Sequence, residues 1–285
     1  MELARRPRFA EVSPSAGAFD QSAFDRVLEE DPDEALSLLA ELAGATDARL
    51  RELARRLAGR VVVQIARGGR SRTSGVGRIQ VTALSEGSDI DFDASSDALL
   101  HASASRRPVD MTDLRGRSWS RPTATISLLV DRSGSMGGRK LATAAVAAAA
   151  VAFRAGRDYS VLAFGEDVVV IKAQDEDRPV DAVVDDLLAL RGHGTTNLAL
   201  ALNEATVQLA RSSARERAVV LMSDGRATSG PDPLGAARAI ERLAILAPRG
   251  DSEDAAALAQ AVGARLTEVA GPSGIPAAMA TLLGR

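Results

Sequence analysis

Residues 123–140 read TATISLLVDRSGSMGGRK, an apolar run followed by a short polar loop and the basic start of an alanine-rich segment. A continuous apolar run is typical of a strand in a parallel sheet, because helices cover both faces of such a sheet. The run ends at Asp131, and Ser133 and Ser135 follow at alternate positions before a glycine pair. The stretch therefore predicts a buried strand, a polar loop and a helix, with Asp131 at the carboxyl end of the strand.

The same alternation continues to the end of the chain. Short apolar runs such as YSVLAF and AVVLM are separated by segments with the length and periodicity of helices. This pattern predicts an α/β fold over residues 123–285, with an open, doubly wound and mostly parallel sheet of the Rossmann-like type. A smaller N-terminal region, helical and then β-containing, is expected to precede it.

The first 122 residues are predicted to form three segments. Residues 1–19 contain Pro, Gly and Ser without periodicity and are interpreted as a flexible arm. Residues 20–58 are interpreted as a helical segment, since Pro32 suits a first helical position and Gly44 suits a helix end. Residues 59–122 are interpreted as a β-rich and connecting region.

Three stretches of that last region are interpreted individually. VVVQI at 61–65 is predicted to be a strand, and the polar, Pro-bounded residues 105–122 are predicted to be a connector. Residues 67–78 interleave arginines with glycines, which fits either an anion- or partner-binding loop or a solvated hairpin. They match neither the P-loop nor the GxGxxG pattern.

Composition excludes several classes of protein. The net charge of −3 argues against general nucleic-acid binding, which requires a basic excess. The absence of cysteine excludes disulfides, zinc–thiolate sites and thiol catalysis. No apolar stretch follows the basic N-terminus, so a secretory signal is not expected, and the alanine-rich run at 141–153 is too short for membrane insertion. A cytoplasmic protein is the expectation.

Three polar loops are expected to meet where the strands of the sheet end. Asp131 ends the first strand, Asp224 follows the run AVVLMS, and Thr195 and Thr196 lie in the glycine-containing loop at 191–198. In doubly wound sheets, ligands bind beyond the carboxyl ends of the strands. Carboxylates and hydroxyls are hard oxygen donors of the kind that bind Mg²⁺ or Mn²⁺. Because only two carboxylates contribute charge, the cation would stay electrophilic and attract an acidic group of another molecule.

The elements DRSGSM, GHGTTNL and LMSDGRA resemble, in order and in context, the von Willebrand factor A (VWA) domain with its metal-ion-dependent adhesion site (MIDAS). The resemblance covers residues 123–285. It implies that the metal is surrounded by the side chains of Asp131, Ser133, Ser135 and Thr196, with Asp224 acting directly or through water. Thr196 is preferred over Thr195 because the threonine of that family lies just before the polar-Leu start of the next helix, here NL.

The SDGRA ending also resembles the bacterial A domains found with MoxR-type AAA+ ATPases, a group that includes magnesium-chelatase D subunits and CoxE-like maturation proteins. This resemblance implies a Mg²⁺-dependent protein-interaction module that works with such an ATPase on a client protein. Residues 1–122 contain no Walker A sequence, so an ATP-driven step would belong to the partner. A chelatase-type subunit for metal or cofactor insertion is the alternative function. Arg132, Arg139 and His193 are expected on the rim of the site.

Other interpretations of the same residues remain open. Asp and Ser at a strand-to-helix turn often only cap the helix. Ser133 or Ser135 with His193 and Asp224 would have the residue types of a hydrolase, although GSMG is not the GxSxG elbow. A phosphatase would need a cation near the metal, for which Arg132 and Arg226 are candidates. A non-enzymatic binding protein is the preferred prediction.

Overall fold

The computed structural model describes residues 8–13, 19–43, 62, 65, 78–83, 89–105, 109, 113–120, 124–133, 138–192 and 194–284. The chain divides into two units, one made of residues 1–71 with 124–285 and the other of residues 72–123. The predictions for Ser135, His193, residues 67–77 and the second half of the helical segment lie outside the described residues.

Three helices lie in the described ranges 8–13 and 19–43, which belong to the first unit. They are α1 (Phe9–Val12), α2 (Gln21–Glu30) and α3 (Pro32–Ala43). The carboxylate of Asp20 caps α2 by accepting a hydrogen bond from the Ala23 amide at 3.0 Å. All four leucines of α3 are buried, as is Val12 in the segment interpreted as an arm. A helix that is apolar on nearly every side must lie inside a core, and α3 does so.

The predicted strand at 61–65 is wrong at the positions that the structure describes, because Val62 and Ile65 are helical. Their spacing of three residues places them on one side of a helix. Val62 is buried in the same apolar cluster as the α3 leucines, and Ile65 packs against that cluster. Tertiary packing therefore outweighs the β-propensity of the valine run.

The second unit contains a three-stranded antiparallel sheet in the order β1-β3-β2. Its elements are β1 (Arg78–Ala83), β2 (Asp89–Ile90), α4 (Ser96–Ser105) and β3 (Arg115–Ser120). Strand β3 falls within the predicted connector, which is therefore wrong over those residues. Residues 115–120 form a strand and not a connector because they pair with β1, where Ile79 lies opposite Trp119.

A six-stranded sheet forms the centre of the first unit, and it confirms the predicted α/β class. Its strands are β4 (Ala124–Asp131), β5 (Tyr159–Phe164), β6 (Val168–Lys172), β7 (Glu216–Met222), β8 (Leu243–Pro248) and β9 (Arg265–Val269). The order is β6-β5-β4-β7-β8-β9, and every neighbouring pair is parallel except β5 and β6. The chain moves outward from β4 to β6 and then returns to the other side of β4. The point where the strand order reverses therefore lies between β4 and β7.

Helices cover both faces of this sheet. They are α5 (Gly138–Ala155), α6 (Val180–Ala189), α7 (Leu198–Leu209), α8 (Leu234–Arg238), α9 (Glu253–Val262) and α10 (Ile275–Leu283). Successive residues of a strand point to opposite faces. Accordingly, Leu128 and Val130 join the core formed with α3, α5, α6 and α10, whereas Leu129 joins the core formed with α7, α8 and α9. No helix in the described ranges is both long and apolar enough to cross a bilayer.

The single tyrosine of the chain, Tyr159, should lose its phenolic proton at a higher pH than a free tyrosine does. Its side chain is 2% exposed, and burial raises the pKa of its phenol from 10.0 to about 12. Because the folded state favours the neutral phenol, this contribution to the free energy of unfolding is complete below pH 10 and is lost between pH 10 and about 12. The loss amounts to about 3 kcal/mol. Tyrosinate absorbance measures the titration directly; a midpoint near 10 in the folded protein, equal to that in denaturant, would contradict it.

Candidate metal centre

The site lies where the strand order reverses, at the carboxyl ends of β4 and β7. The register pairs Val130 with Met222, so the next residues of the two strands, Asp131 and Ser223, also meet. The Ser223 hydroxyl donates a hydrogen bond of 2.6 Å to Oδ2 of Asp131. This crevice is the usual position of a ligand in an open α/β sheet.

The carboxylate of Asp131 is held from two sides. Its Oδ1 accepts a hydrogen bond of 2.9 Å from the Ser133 amide, while Oδ2 accepts the one from Ser223. The Ser223 hydroxyl in turn accepts a hydrogen bond of 3.0 Å from the Gly225 amide. Each carboxylate oxygen retains a lone pair after these contacts, so Asp131 is oriented and still able to bind a cation.

Thr196 is tied to the loop that follows β7. Its amide donates to Oγ1 of Thr228 at 2.8 Å, and its carbonyl accepts from the amides of Thr228 and Ser229 at 3.0 and 3.1 Å. The residue is 3% exposed, whereas the neighbouring Thr195 is exposed. Among the described residues, the Thr196 hydroxyl has no hydrogen-bond partner. A hydroxyl that no protein group occupies is available as an oxygen donor to a ligand.

Asp224 is fixed by its own turn and by an arginine. Its Oδ1 accepts a hydrogen bond of 2.9 Å from the Arg226 amide, and its Oδ2 lies 3.7 Å from the Arg226 guanidinium. Its carbonyl accepts from the Ala255 amide at 2.8 Å, which joins the turn to the first turn of α9. Asp251, Asp224 and Asp254 together raise the pKa of Arg226, in that order of importance.

Arg132 does not lie on the rim, and that prediction is wrong. Its side chain is buried and forms an ion pair with Asp167, in the turn between β5 and β6. Its amide donates to the Phe164 carbonyl at 2.8 Å, which keeps the residue within the end of the sheet. Arg132 is therefore not available as the cation that a phosphatase would need at the surface of the site.

The turn after Asp224 requires glycine. Gly225 has a φ of +88°, and a Cβ there would lie 2.3 Å from the Ala255 nitrogen. Gly225→Ala is therefore expected to lower the free energy of unfolding by about 3 kcal/mol, from left-handed strain together with the steric clash. Gly263→Ala is the matched control, since Gly263 has a φ of +70° but nothing within 4 Å of the position that a Cβ would take.

Denaturant unfolding followed by circular dichroism compares the two variants. Gly263→Ala should lose only about 1 kcal/mol, the cost of left-handed backbone. Equal losses in both variants would mean that the contact with α9 does not constrain the Asp224 turn.

The segment 223–229 brings the predicted residues together. It contacts Asp131 through Ser223 and Thr196 through Thr228, and it contains Asp224. Sequence reasoning missed both Ser223 and Thr228. The sequence signal for Ser223 was its position directly before Asp224, at the end of a predicted strand. That the neighbouring strand ends at Asp131 is seen only in the structure.

The donor set fits a hard divalent cation. It combines carboxylates that are oriented by hydrogen bonds with the neutral hydroxyl oxygens of Ser133 and Thr196. Mg²⁺ and Mn²⁺ bind such oxygens and commonly keep several waters. Asp131, Ser133, Thr196 and Asp224 would hold the ion, and the assignment of Ser135 as a further ligand stays a prediction.

The fold and the site define a class: an open, doubly wound α/β domain with an oxygen-rich site at the point where its strand order reverses. Residues 125–259 match the family described as von Willebrand factor type A domain. Over residues 125–259 this match confirms the resemblance to a von Willebrand factor type A domain that was inferred from the three motifs. No curated protein sequence matches the chain.

Several solved structures are similar to part of the chain. Manganese-loaded TRAP protein from Plasmodium vivax is 21% identical, with 57% of this chain and 74% of that chain covered and a TM-score of 0.46. A von Willebrand factor type A protein from Catenulispora acidiphila is 15% identical, with 57% and 42% covered and a TM-score of 0.42. The conserved hypothetical protein BatB from Bacteroides thetaiotaomicron is 15% identical, with 57% and 100% covered and a TM-score of 0.42. The match thus spans less than half of the Catenulispora protein.

Proposed function

We propose that this protein is a Mg²⁺-dependent protein-interaction module. Asp131, Ser133, Ser135, Thr196 and Asp224 hold the cation, and a carboxylate of a partner protein completes its coordination. Mn²⁺ can replace Mg²⁺, since both prefer oxygen ligands in octahedral geometry. The module binds and does not catalyse.

The orientation of Asp131 is the observation that carries this proposal. A carboxylate that only caps a helix needs one amide partner, whereas this one is held by the Ser133 amide and by the Ser223 hydroxyl from the neighbouring strand. Held in this way, it loses little conformational freedom when a cation binds. The hydroxyl of Thr196 supplies a neutral donor from a different loop, which favours an oxygen-coordinated cation over a helix cap.

The proposed partner is a MoxR-type AAA+ ATPase or the client protein that it remodels, acting in the cytoplasm. Support comes from the resemblance of the SDGRA-containing sequence to A domains of that group. The ATP-driven step would come from the partner, because residues 1–122 lack a Walker A sequence. In the alternative chelatase-type function the same site is used, but the client is an enzyme that receives a metal or cofactor.

Affinity capture from native lysate tests the proposal. The tagged full chain is compared in Mg²⁺ and in EDTA, together with Asp131→Ala and with Asp175→Ala as a charge-matched control. Asp175 is exposed and pairs with Arg211, and it follows the antiparallel strand β6, which ends near the amino end of β5. Retention of an AAA+ ATPase only in Mg²⁺ and only with Asp131 intact supports the proposal. Retention of the same partners in EDTA, or by Asp131→Ala, contradicts it, and a co-purifying cofactor-insertion enzyme would favour the chelatase-type alternative.

A further inference from the structure

The guanidinium of Arg226 is shared among three carboxylates. It lies 3.7 Å from Oδ2 of Asp224, 2.5 Å from Oδ1 of Asp251 and 3.2 Å from Oδ2 of Asp254. The two shorter contacts are with Asp251, just before α9, and with Asp254, in the first turn of α9. The longest contact is with Asp224, the predicted metal ligand. Arg226 is thus held beside Asp224 mainly by other partners.

This arrangement places a permanent positive charge next to a predicted cation ligand. A guanidinium stays protonated at every pH that the protein meets, so its charge cannot be removed by titration. It attracts the Asp224 carboxylate and repels a divalent cation bound to the same carboxylate. At separations of several ångströms near a protein surface, such interactions change a binding constant several-fold.

Asp251 and Asp254 determine how strongly Arg226 competes. While they hold the guanidinium, its contact with Asp224 stays at 3.7 Å. Without them, the closest remaining carboxylate among the described ion-pair partners of Arg226 is Asp224. The two holding residues should therefore keep Asp224 accessible to a cation.

We propose that Arg226 is a positioning residue that weakens cation binding by sharing Asp224, and that Asp251 and Asp254 limit this competition. The proposal rests on the proposed function, because it requires a cation at Asp131 and Asp224. This arrangement gives the site a moderate affinity for its metal. The affinity is set by Asp224, Arg226, Asp251 and Asp254, of which only Asp224 is a predicted ligand.

Mn²⁺ titration of the full chain, followed by electron paramagnetic resonance of the free ion, tests the proposal. Arg226→Gln is expected to tighten Mn²⁺ binding by about three- to tenfold, and Arg226→Lys, which retains the charge, should stay within about twofold of the native protein. The double variant Asp251→Asn/Asp254→Asn is expected to weaken binding by about three- to tenfold. Arg211→Gln removes an equal charge from the Asp175 ion pair and should change nothing.

Two further comparisons separate competition from other causes. In the Arg226→Gln background, the Asp251→Asn/Asp254→Asn changes should lose most of their effect, as expected for residues that act through Arg226. The tightening by Arg226→Gln should also shrink as ionic strength rises, because salt screens exposed charges. Circular dichroism confirms that each variant is folded.

The outcomes distinguish this inference from the proposed function. If the native protein binds no Mn²⁺, both are overturned. If the native protein binds Mn²⁺ but Arg226→Gln binds it equally or more weakly, only the role of Arg226 is overturned. If the double variant weakens binding equally with and without Arg226, then Asp251 and Asp254 act by their own charge and do not limit Arg226.

Discussion

Asp131→Asn should lose at least about 100-fold in Mn²⁺ affinity, whereas the fold should be retained. An asparagine has one acceptor oxygen and one donor group, so it can accept from the Ser133 amide or from the Ser223 hydroxyl, but not from both. It also removes one of the two charges of the donor set. Loss of a residue that only orients a ligand costs about ten- to 100-fold, so loss of a charged ligand itself should exceed that range.

Titration with Mn²⁺, followed by calorimetry or by electron paramagnetic resonance, measures this effect. The variants Ser223→Ala and Asp175→Asn are measured for comparison. Ser223→Ala keeps the charge but releases Oδ2 of Asp131, so an intermediate loss of about tenfold is expected. Asp175→Asn removes a surface charge from the ion pair with Arg211 and should have no effect. Native-like affinity in Asp131→Asn would show that the cation does not bind at the end of β4.

Leu39→Ala is expected to destabilise the first unit by about 2 to 5 kcal/mol. Leu39 is fully buried in α3, in one apolar cluster with residues of β4, α5 and α6. Its truncation leaves a cavity among helices that are already in close contact, since a Cβ on Gly138 of α5 would lie 2.3 Å from the Ser37 carbonyl oxygen. A loss of this size is a large part of the total stability of an ordinary domain.

Chemical denaturation followed by circular dichroism provides the measurement, and Leu200→Ala provides a matched control. Leu200 is 42% exposed on α7, so the same chemical change there should cost less than about 1 kcal/mol. A single transition that shifts as a whole in Leu39→Ala is expected. If only a minor unfolding transition at low denaturant concentration shifted and the main transition kept its midpoint, α3 would not belong to the same cooperative core.

The strands and the site were predictable because one physical rule produces both. Strands buried on two faces are continuous apolar runs, and polar residues that end such runs must emerge at the edge where ligands bind. Asp131 and Asp224 are therefore visible in the sequence as the first polar residues after buried strands, or nearly so. Ser223, which lies between the end of β7 and Asp224, could not be recognised as a site residue from the sequence. Its role depends on the register between β4 and β7, which no local pattern specifies.

The N-terminal part was less predictable, because amphipathic periodicity indicates that a face is buried but not against what. The leucines of α3 could have served a separate small unit, yet they pack on the alanine-rich α5. Val62 and Ile65 show the same limit, since their helical state depends on that core. Arg132 and Arg226 both follow a site aspartate closely, yet Arg132 is buried beside Asp167 whereas Arg226 stays exposed beside Asp251 and Asp254.

The only tryptophan and the only tyrosine of the chain lie in different units, Trp119 in β3 and Tyr159 in β5. The molecule thus has a separate intrinsic chromophore in each of its two parts. Tryptophan emission can follow the small sheet while tyrosine absorbance follows the large one, without any label. Excitation transfer from the tyrosine to the tryptophan falls with their separation, so it would report directly whether a bound partner draws the two units together or apart.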